Sequence, residues 1–251
     1  MAAHEPDVSG RVAVVTGASR GLGAGLARHF AERGVRLGLC ARSRPALDSG
    51  PDVVSAQVDV TDPAALDRFA ATVVERLGRI DLWVNNAGVL EPIEPLRDTD
   101  PAAFRDHVAI NLLGVVHGSQ TFVRHLHHRG GDGVLVNVSS GAADHAYAGW
   151  GAYCATKAAV DRLTEVIELE EAHHGLRAYA FSPGVVDTDM QATIRQCPPE
   201  RFPRVERFRQ LERAGAFNSP EHVARHLLAL AFGPDGGQAG YRVRVPDEHA
   251  G

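Results

Sequence analysis

The chain has 251 residues, 44% of them hydrophobic and 23% charged, with a formal net charge of −5; this is the balance of a soluble globular protein long enough to bury a sizeable core. The mild negative charge argues against nucleic acid as the main partner, and no apolar run approaches the roughly 20 residues needed to span a bilayer. The three cysteines, Cys40, Cys154 and Cys197, are too few and too widely spaced for a disulfide framework or a CxxC metal site, so a reducing, cytoplasmic setting is expected. Residues 1–10 are polar, with Glu5, Pro6 and Asp7, and lack the apolar core of a signal peptide.

Short apolar runs alternate with longer helical patterns along the chain. Residues 12–15 read as a buried strand that runs into a glycine-rich turn, and 22–33 as a helix with Leu22, Leu26 and Phe30 on one face, ended by Gly34. Strands are expected at 35–40 and 53–58, and Pro45, Gly50 and Pro51 leave room for only a short helix between them. Asp62 is placed to cap a helix over 63–77. A strand over 80–84 precedes a long helical stretch, 101–126, in which Gly114 and Gly118 permit close approach of another element. The turn Gly131-Asp132-Gly133 introduces a strand over 134–138. Then come a helix over 153–171, a strand over 176–181, a helix over 221–231 after Ser219-Pro220, and a last strand over 241–245. This alternation predicts one α/β domain over 1–251: a Rossmann-type, doubly wound parallel sheet of about seven strands with helices on both faces. Residues 190–218 break the rhythm just past a strand's carboxyl end, where ligands bind in such sheets, and are expected to form a substrate lid.

The turn Thr16-Gly17-Ala18-Ser19-Arg20-Gly21-Leu22-Gly23 lies between a strand and a helix. In that setting its backbone N–H groups meet a pyrophosphate, and the glycines let the backbone come close. The spacing is GxxxGxG rather than GxGxxG. An NAD site would place an acid at the end of the second strand for the ribose 2′-OH. Here the residues are Cys40-Ala41-Arg42-Ser43. Arg42 and Arg20 are suited to flank a 2′-phosphate, so NADP(H) is the expected cofactor.

Tyr153 and Lys157 are four apart on a predicted helix and share a face. A Tyr hydroxyl ordinarily ionises at about pH 10, and a nearby ammonium favours its phenolate. A lone YxxxK is common by chance and gains weight only from partners. Ser140, just past the fifth strand, can hold a carbonyl oxygen beside the Tyr, with Ser139 as competitor. Asn111, within the long helix, needs hydrogen bonds if buried; it either bridges water to Lys157 or caps a backbone kink.

Taken in order, Thr16-Gly17-x-x-x-Gly21-x-Gly23, Asp59-Val60, Asn85-Asn86-Ala87-Gly88, Asn111, Ser140, Tyr153-x-x-x-Lys157 and Pro183-Gly184 resemble the short-chain dehydrogenase/reductase family over nearly the whole chain. The resemblance implies Tyr153 as acid-base, Lys157 lowering its pKa, Ser140 positioning the carbonyl and Asn111 maintaining a water relay. It also implies a cofactor site of Gly17, Ser19, Arg20, Gly21, Leu22, Gly23, Arg42, Asp59, Val60, Asn86, Ala87 and Gly88. Tyr153, Lys157, Pro183, Gly184, Val186 and Thr188 complete that set, with Thr188 on the nicotinamide carboxamide. Within the family the C-terminal half is most similar to sepiapterin and benzil reductases, through Tyr153-Cys154-x-x-Lys157-Ala-Ala159-x-Asp161 and Pro183-Gly-x-x-Asp187-Thr-Asp-Met-Gln191. Pterin-binding members are expected to carry an Asp near the C-terminus where this chain has Arg244, with Asp247 three residues on; that departure argues against a pterin substrate.

The expected activity is NADPH-dependent reduction of a small-molecule ketone, diketone or aldehyde. Alcohol oxidation with NADP and a non-catalytic NADP-binding regulator are the alternatives. Arg195, Arg201, Arg204, Arg207, Arg209 and Arg213 read either as a lid for an anionic substrate or as a solvated helix paired with Glu200, Glu206 and Glu212. At least one of His145, Tyr147 and Trp150 should line the substrate. His127-His128 and His173-His174 read as surface residues whose spacings match no metal site, and no metal is expected. Apolar residues spread beyond one stripe on two helices, Ile110, Leu112, Leu113, Val115 and Val116 on one and Val160, Leu163, Val166, Ile167 and Leu169 on the other. That excess predicts a homodimer, with a tetramer as the larger option.

Overall fold

The computed structural model describes residues 6–234 and 240–249; the polar reading of 1–5 lies outside them. One seven-stranded parallel sheet organises the described residues, in the order β3-β2-β1-β4-β5-β6-β7. Its strands are β1 (Val12–Thr16), β2 (Arg36–Ala41), β3 (Val53–Gln57), β4 (Leu82–Asn85), β5 (Gly133–Val138), β6 (Leu176–Ser182) and β7 (Arg242–Arg244). The helices are α1 (Gly21–Glu32), α2 (Pro63–Leu77), α3 (Pro101–Val108), α4 (Gly114–Arg129), α5 (Gly151–Glu171), α6 (Asp189–Gln196), α7 (Val205–Arg213) and α8 (Pro220–Phe232). Among the described residues no helix is long and apolar enough to cross a membrane.

Strand side chains alternate between faces, and the two cores follow that alternation. Ala13, Val15, Leu82, Val84, Val134 and Val136 pack with Leu26 and Phe30 of α1 and Leu227 and Leu228 of α8. Val12, Val14, Trp83 and Leu135 pack on the other side with Phe69 and Val73 of α2 and Phe122 of α4. Both faces of the central strands are therefore dry, which is why they read as unbroken apolar runs.

The expected elements are present with small shifts of boundary. Asp62 caps α2, its carboxylate accepting from Ala65 N at 3.0 Å. The segment between β2 and β3 holds no helix at all. The predicted helix over 101–126 is interrupted by one π turn, Ala109–Leu113, between α3 and α4. A Cβ on Gly114 would meet Val60 Cγ2 at 2.7 Å, and one on Gly118 would overlap the Asn85 amide. Close approach is thus what these two glycines provide.

The strand order turns back between β1 and β4, and the crevice at that switch point is where such sheets bind ligands. A third apolar cluster lies off the sheet. Phe202, Val205 and Phe208 from the α6–α7 segment pack with Leu90, Ile93 and Trp150 beyond the carboxyl ends of β4 and β5.

Candidate active site

The carboxyl ends of the strands converge on one cavity of about 990 Å³. Its first half is the turn between β1 and α1. Gly17 has φ +67° and Gly21 φ +53°, and a Cβ on Gly17 would lie 2.7 Å from Ala87 Cα, so two backbones touch where any other residue would wedge them apart. Thr16 stitches the two together, its hydroxyl accepting from Asn86 N at 3.0 Å and Ala87 N at 3.1 Å. Asn86 Nδ2 donates back to Thr16 O at 2.9 Å. The N-terminus of α1 has no side-chain cap and no acid in its first turn. Its free N–H groups and dipole are left for an anion, which fits a pyrophosphate.

Ser19, Arg20, Leu22, Gly23, Arg42, Asp59, Val60 and Gly88 line the same half of the cavity. The Asp59 carboxylate is occupied by Thr61 N at 2.9 Å and Thr61 Oγ1 at 2.8 Å. Arg42 is exposed and makes no ion pair among the described residues; Arg20 has only a loose contact with Asp189 at 3.9 Å. No acid follows β2. On the far rim, Pro183, Gly184, Val186 and Thr188 also line the cavity. The Thr188 methyl lies over the Gly21 turn, about where a Cβ on that glycine would touch it at 3.4 Å.

Ser140, Tyr153 and Lys157 meet at the centre. Ser140 begins the turn after β5, and its hydroxyl accepts from Ala142 N at 3.1 Å. Packing around the Tyr153 phenol pushes its pKa up, opposed by a hydrogen bond with Ser140. The expectation that Tyr153 is pulled down is therefore not met by the protein alone, because desolvation of the phenolate outweighs that bond. Lys157 is buried, donates to Val138 O at 2.7 Å and lies 5.6 Å from the Tyr153 ring centroid. Burial pulls its ammonium down to about 8, with Asp161 opposing.

The structure separates the two serines. Ser139 donates its hydroxyl to Asp161, which also pairs with Arg242 at 2.9 Å; Ser140 remains beside the Tyr. Asn111 lies on the π turn, fully buried. Its Oδ1 accepts from Val89 N at 2.8 Å and its Nδ2 donates to Val89 O at 2.8 Å, with His107 Nε2 at 3.0 Å. Its side chain thus ties the π turn to the loop after β4.

The other half of the cavity is apolar and aromatic. His145, Tyr147 and Trp150 all line it, with Met190, Ile194 and Phe208 from the α6–α7 segment. The Trp150 indole stacks on Phe202 at 4.5 Å and meets Tyr153 edge-on at 5.5 Å. Trp150 Nε1 and Gln191 Oε1 are buried without a hydrogen-bond partner.

The arginines of the α6–α7 segment divide. Arg195 pairs with Glu212 at 2.9 Å, Arg213 and Arg209 with Glu206 at 2.8 and 3.6 Å, and Arg201 with Glu94 at 3.2 Å. Arg204 lies over the Tyr147 ring. Arg207 alone among them both lines the cavity and lacks a charged partner among the described residues.

Three supporting residues carry no signal of their own in the sequence. His107 bridges Glu91 O at 2.7 Å and Thr156 Oγ1 at 3.1 Å near the Tyr153 ring, and burial lowers its pKa. Asn218 donates to Pro183 O at 2.9 Å and accepts from Glu248 N at 2.8 Å, fixing the far rim. Arg242 ties β7 to Asp161 and Asp144. His127, His128, His173 and His174 are all exposed, as the sequence reading expects. His127 and His174 lie with Glu171 in one cluster, brought together by the ends of α4 and α5 rather than by spacing along the chain.

A switch-point crevice with a glycine-rich turn, leading to Ser, Tyr and Lys, defines an oxidoreductase of the nicotinamide-dinucleotide class. Residues 11–198 match the family described as short chain dehydrogenase. Benzil reductase ((S)-benzoin forming) of Bacillus subtilis is 34% identical over 224 residues, spanning 86% of this chain and 91% of that protein. The crystal structure of the KRED1-Pglu enzyme superposes with a TM-score of 0.85 at 32% identity, covering 93% of this chain and 99% of that one. A short chain dehydrogenase from Burkholderia cenocepacia, solved in complex with NADP, gives 0.73 at 30% identity, with 96% and 90% covered. The chain belongs to the short-chain dehydrogenase/reductase family.

Proposed function

We propose that this protein is an NADPH-dependent carbonyl reductase acting on ketones, diketones or aldehydes with an aromatic body. The observation that carries this reading is the position of Tyr153: beside Ser140, next to the buried Lys157 ammonium, and at the join between the glycine-rich and aromatic halves of one cavity. The dinucleotide, when bound, supplies the hydride. Ser140 and Tyr153 hold the carbonyl oxygen, and Tyr153 gives it a proton as negative charge develops. A phenol with a raised pKa is protonated at neutral pH, the form an acid requires. Lys157 then favours the phenolate left behind. In this reading Asn111 keeps the π turn, which packs against α5, open to a water relay that restores the proton.

Arg42 and Arg20 would hold a 2′-phosphate, and the missing acid after β2 removes the group that would repel it. Gly17, Ser19, Gly21, Leu22 and Gly23 would cradle the pyrophosphate. Asp59 and Val60 would meet the adenine, Asn86, Ala87 and Gly88 would run along the cofactor, and Pro183, Gly184, Val186 and Thr188 would face the nicotinamide. Residues 190–218 act as the lid over the substrate. The aromatic wall, the unpartnered Trp150 N–H and the similarity to a benzil reductase favour a substrate with a second oxygen, such as an aromatic 1,2-diketone. Turnover of NADPH with such diketones by wild type, and its loss in Tyr153→Phe, tests the reading. A wild type that binds NADPH but reduces no member of an aromatic ketone and diketone panel overturns it.

We also infer a dimer through α4 and α5. Val160, Ile167 and Val115 are buried within the chain, but Leu113, Val166 and Leu169 remain 44%, 39% and 76% exposed. Two copies packed through these helices would cover that surface. Sedimentation equilibrium at micromolar concentration should give twice the chain mass; an active species of one chain's mass contradicts the inference.

A further inference from the structure

We propose that His127, Glu171 and His174 form a binding site for a divalent transition-metal ion, with Zn²⁺ the best match, that ties the carboxyl end of α4 to that of α5. The proposal does not depend on the reductase reading. It is the only group of its kind among the described residues: two imidazoles and a carboxylate whose ligand atoms all lie within 4.8 Å of one another. Zn²⁺ bonds His nitrogen and carboxylate oxygen at about 2.0–2.2 Å, which sets tetrahedral ligands roughly 3.3 Å apart. His127 Nε2 and Glu171 Oε2 are already 2.6 Å apart. An ion entering between them replaces that hydrogen bond, and small rotamer changes bring in His174. Water takes the fourth position.

Several features favour a cation here over a solvated patch. The Glu171 side chain is only 16% exposed, and among the described residues its one charge partner is His127 rather than an Arg or Lys. The His127 and His174 rings lie 4.4 Å apart, and His173 and His174 4.0 Å apart. His127 lies in the last turn of α4, and Glu171 ends α5. Two helix carboxyl ends therefore turn their negative poles toward the same point. The ligands come from α4, the last residue of α5 and the 3-10 turn that follows it, and so clamp tertiary structure. The cluster is also remote from the chemistry: Glu171 is eighteen residues beyond Tyr153 on α5, about 27 Å along the axis.

The test is titration of untagged, chelator-treated protein with Zn²⁺, followed by calorimetry and thermal melting, and with Co²⁺ followed by its visible absorption. One ion per chain is expected. At a hundredfold excess over Kd the melting temperature should rise by roughly 5 °C or more. The Co²⁺ spectrum should show the intense bands of a tetrahedral N/O site. His127→Ala, Glu171→Gln and His174→Ala should each weaken binding at least as much as loss of an outer-shell partner does, about 10–100-fold. His128→Ala should leave it unchanged, as should His226→Ala, which removes the neighbouring-turn histidine pair of α8. Four results overturn the site: no saturable binding up to millimolar Zn²⁺, half an ion per chain, undiminished binding by the three ligand variants, or loss that follows His128 or His226.

Discussion

The two halves of the cavity are built on different principles. The half we propose for the dinucleotide is built at the carboxyl ends of β1, β2, β3, β4 and β6, with the glycine-rich turn at its centre. Its tolerances are set by close backbone approach, as between Gly17 and Ala87. The aromatic half, where we propose the substrate binds, is made of side chains from three stretches far apart in sequence, at 90–93, 142–150 and 190–208, which meet around Tyr147, Trp150, Phe202 and Phe208. The first half is fixed by the sheet. The second half can be rebuilt without disturbing the sheet, which is how one fold acquires many specificities.

If that division is right, substitutions should damage one half and spare the other. Tyr153→Phe stands at the join and should have the largest effect. Losing the acid should lower kcat by about 10² to 10⁴, while NADPH binding, followed by fluorescence, stays near wild type. Retention of more than about a tenth of wild-type kcat would remove Tyr153 as the acid. Arg42→Asp comes next and belongs to the dinucleotide half alone. It replaces a charge-assisted donor by a carboxylate and should lower the NADPH-to-NADH preference by about 10- to 100-fold, with KM for the ketone unchanged. A wild type equally active with NADH and NADPH would remove the premise.

The same division explains what could be read before the fold was known. The glycine turn, the missing acid after β2 and the Tyr-Lys pair are local patterns with physical meaning in themselves, and each lies where expected on its strand or helix. Ser140 over Ser139 followed from family spacing, but its physical basis, the engagement of Ser139 by Asp161, depends on a residue one turn beyond Lys157. Asn218 and His107 act through bonds to residues 28–35 and 16–49 positions away along the chain, and no periodicity marks them. The same is true of His127 and Glu171, 44 apart. The arginines of 190–218 were legible as partly neutralised because glutamates are interleaved with them; which one remains free over the cavity, Arg207, was set by packing.

The finest division lies within the substrate half, between shape and hydrogen bonding. Trp150 contributes both: its ring stacks on Phe202 at 4.5 Å, and its Nε1 is buried with no acceptor in the protein. A buried N–H without a partner is a standing cost; a small turn of the indole toward the cavity would let a substrate oxygen relieve it. Trp150→Phe keeps an aromatic ring against Phe202 and removes only the donor. One neutral hydrogen bond has a net worth of about 0.5–1.5 kcal/mol, so kcat/KM for an aromatic 1,2-diketone should fall by about 2- to 12-fold. The loss should appear in KM, because the bond is made in the ground state as well as in the transition state. A monoketone of the same bulk has no second oxygen to offer, and its KM should not rise. NADPH affinity should be unchanged, since the indole belongs to the other half. Equal losses for diketone and monoketone would mean that Trp150 acts through shape alone and that its N–H reads nothing in the substrate.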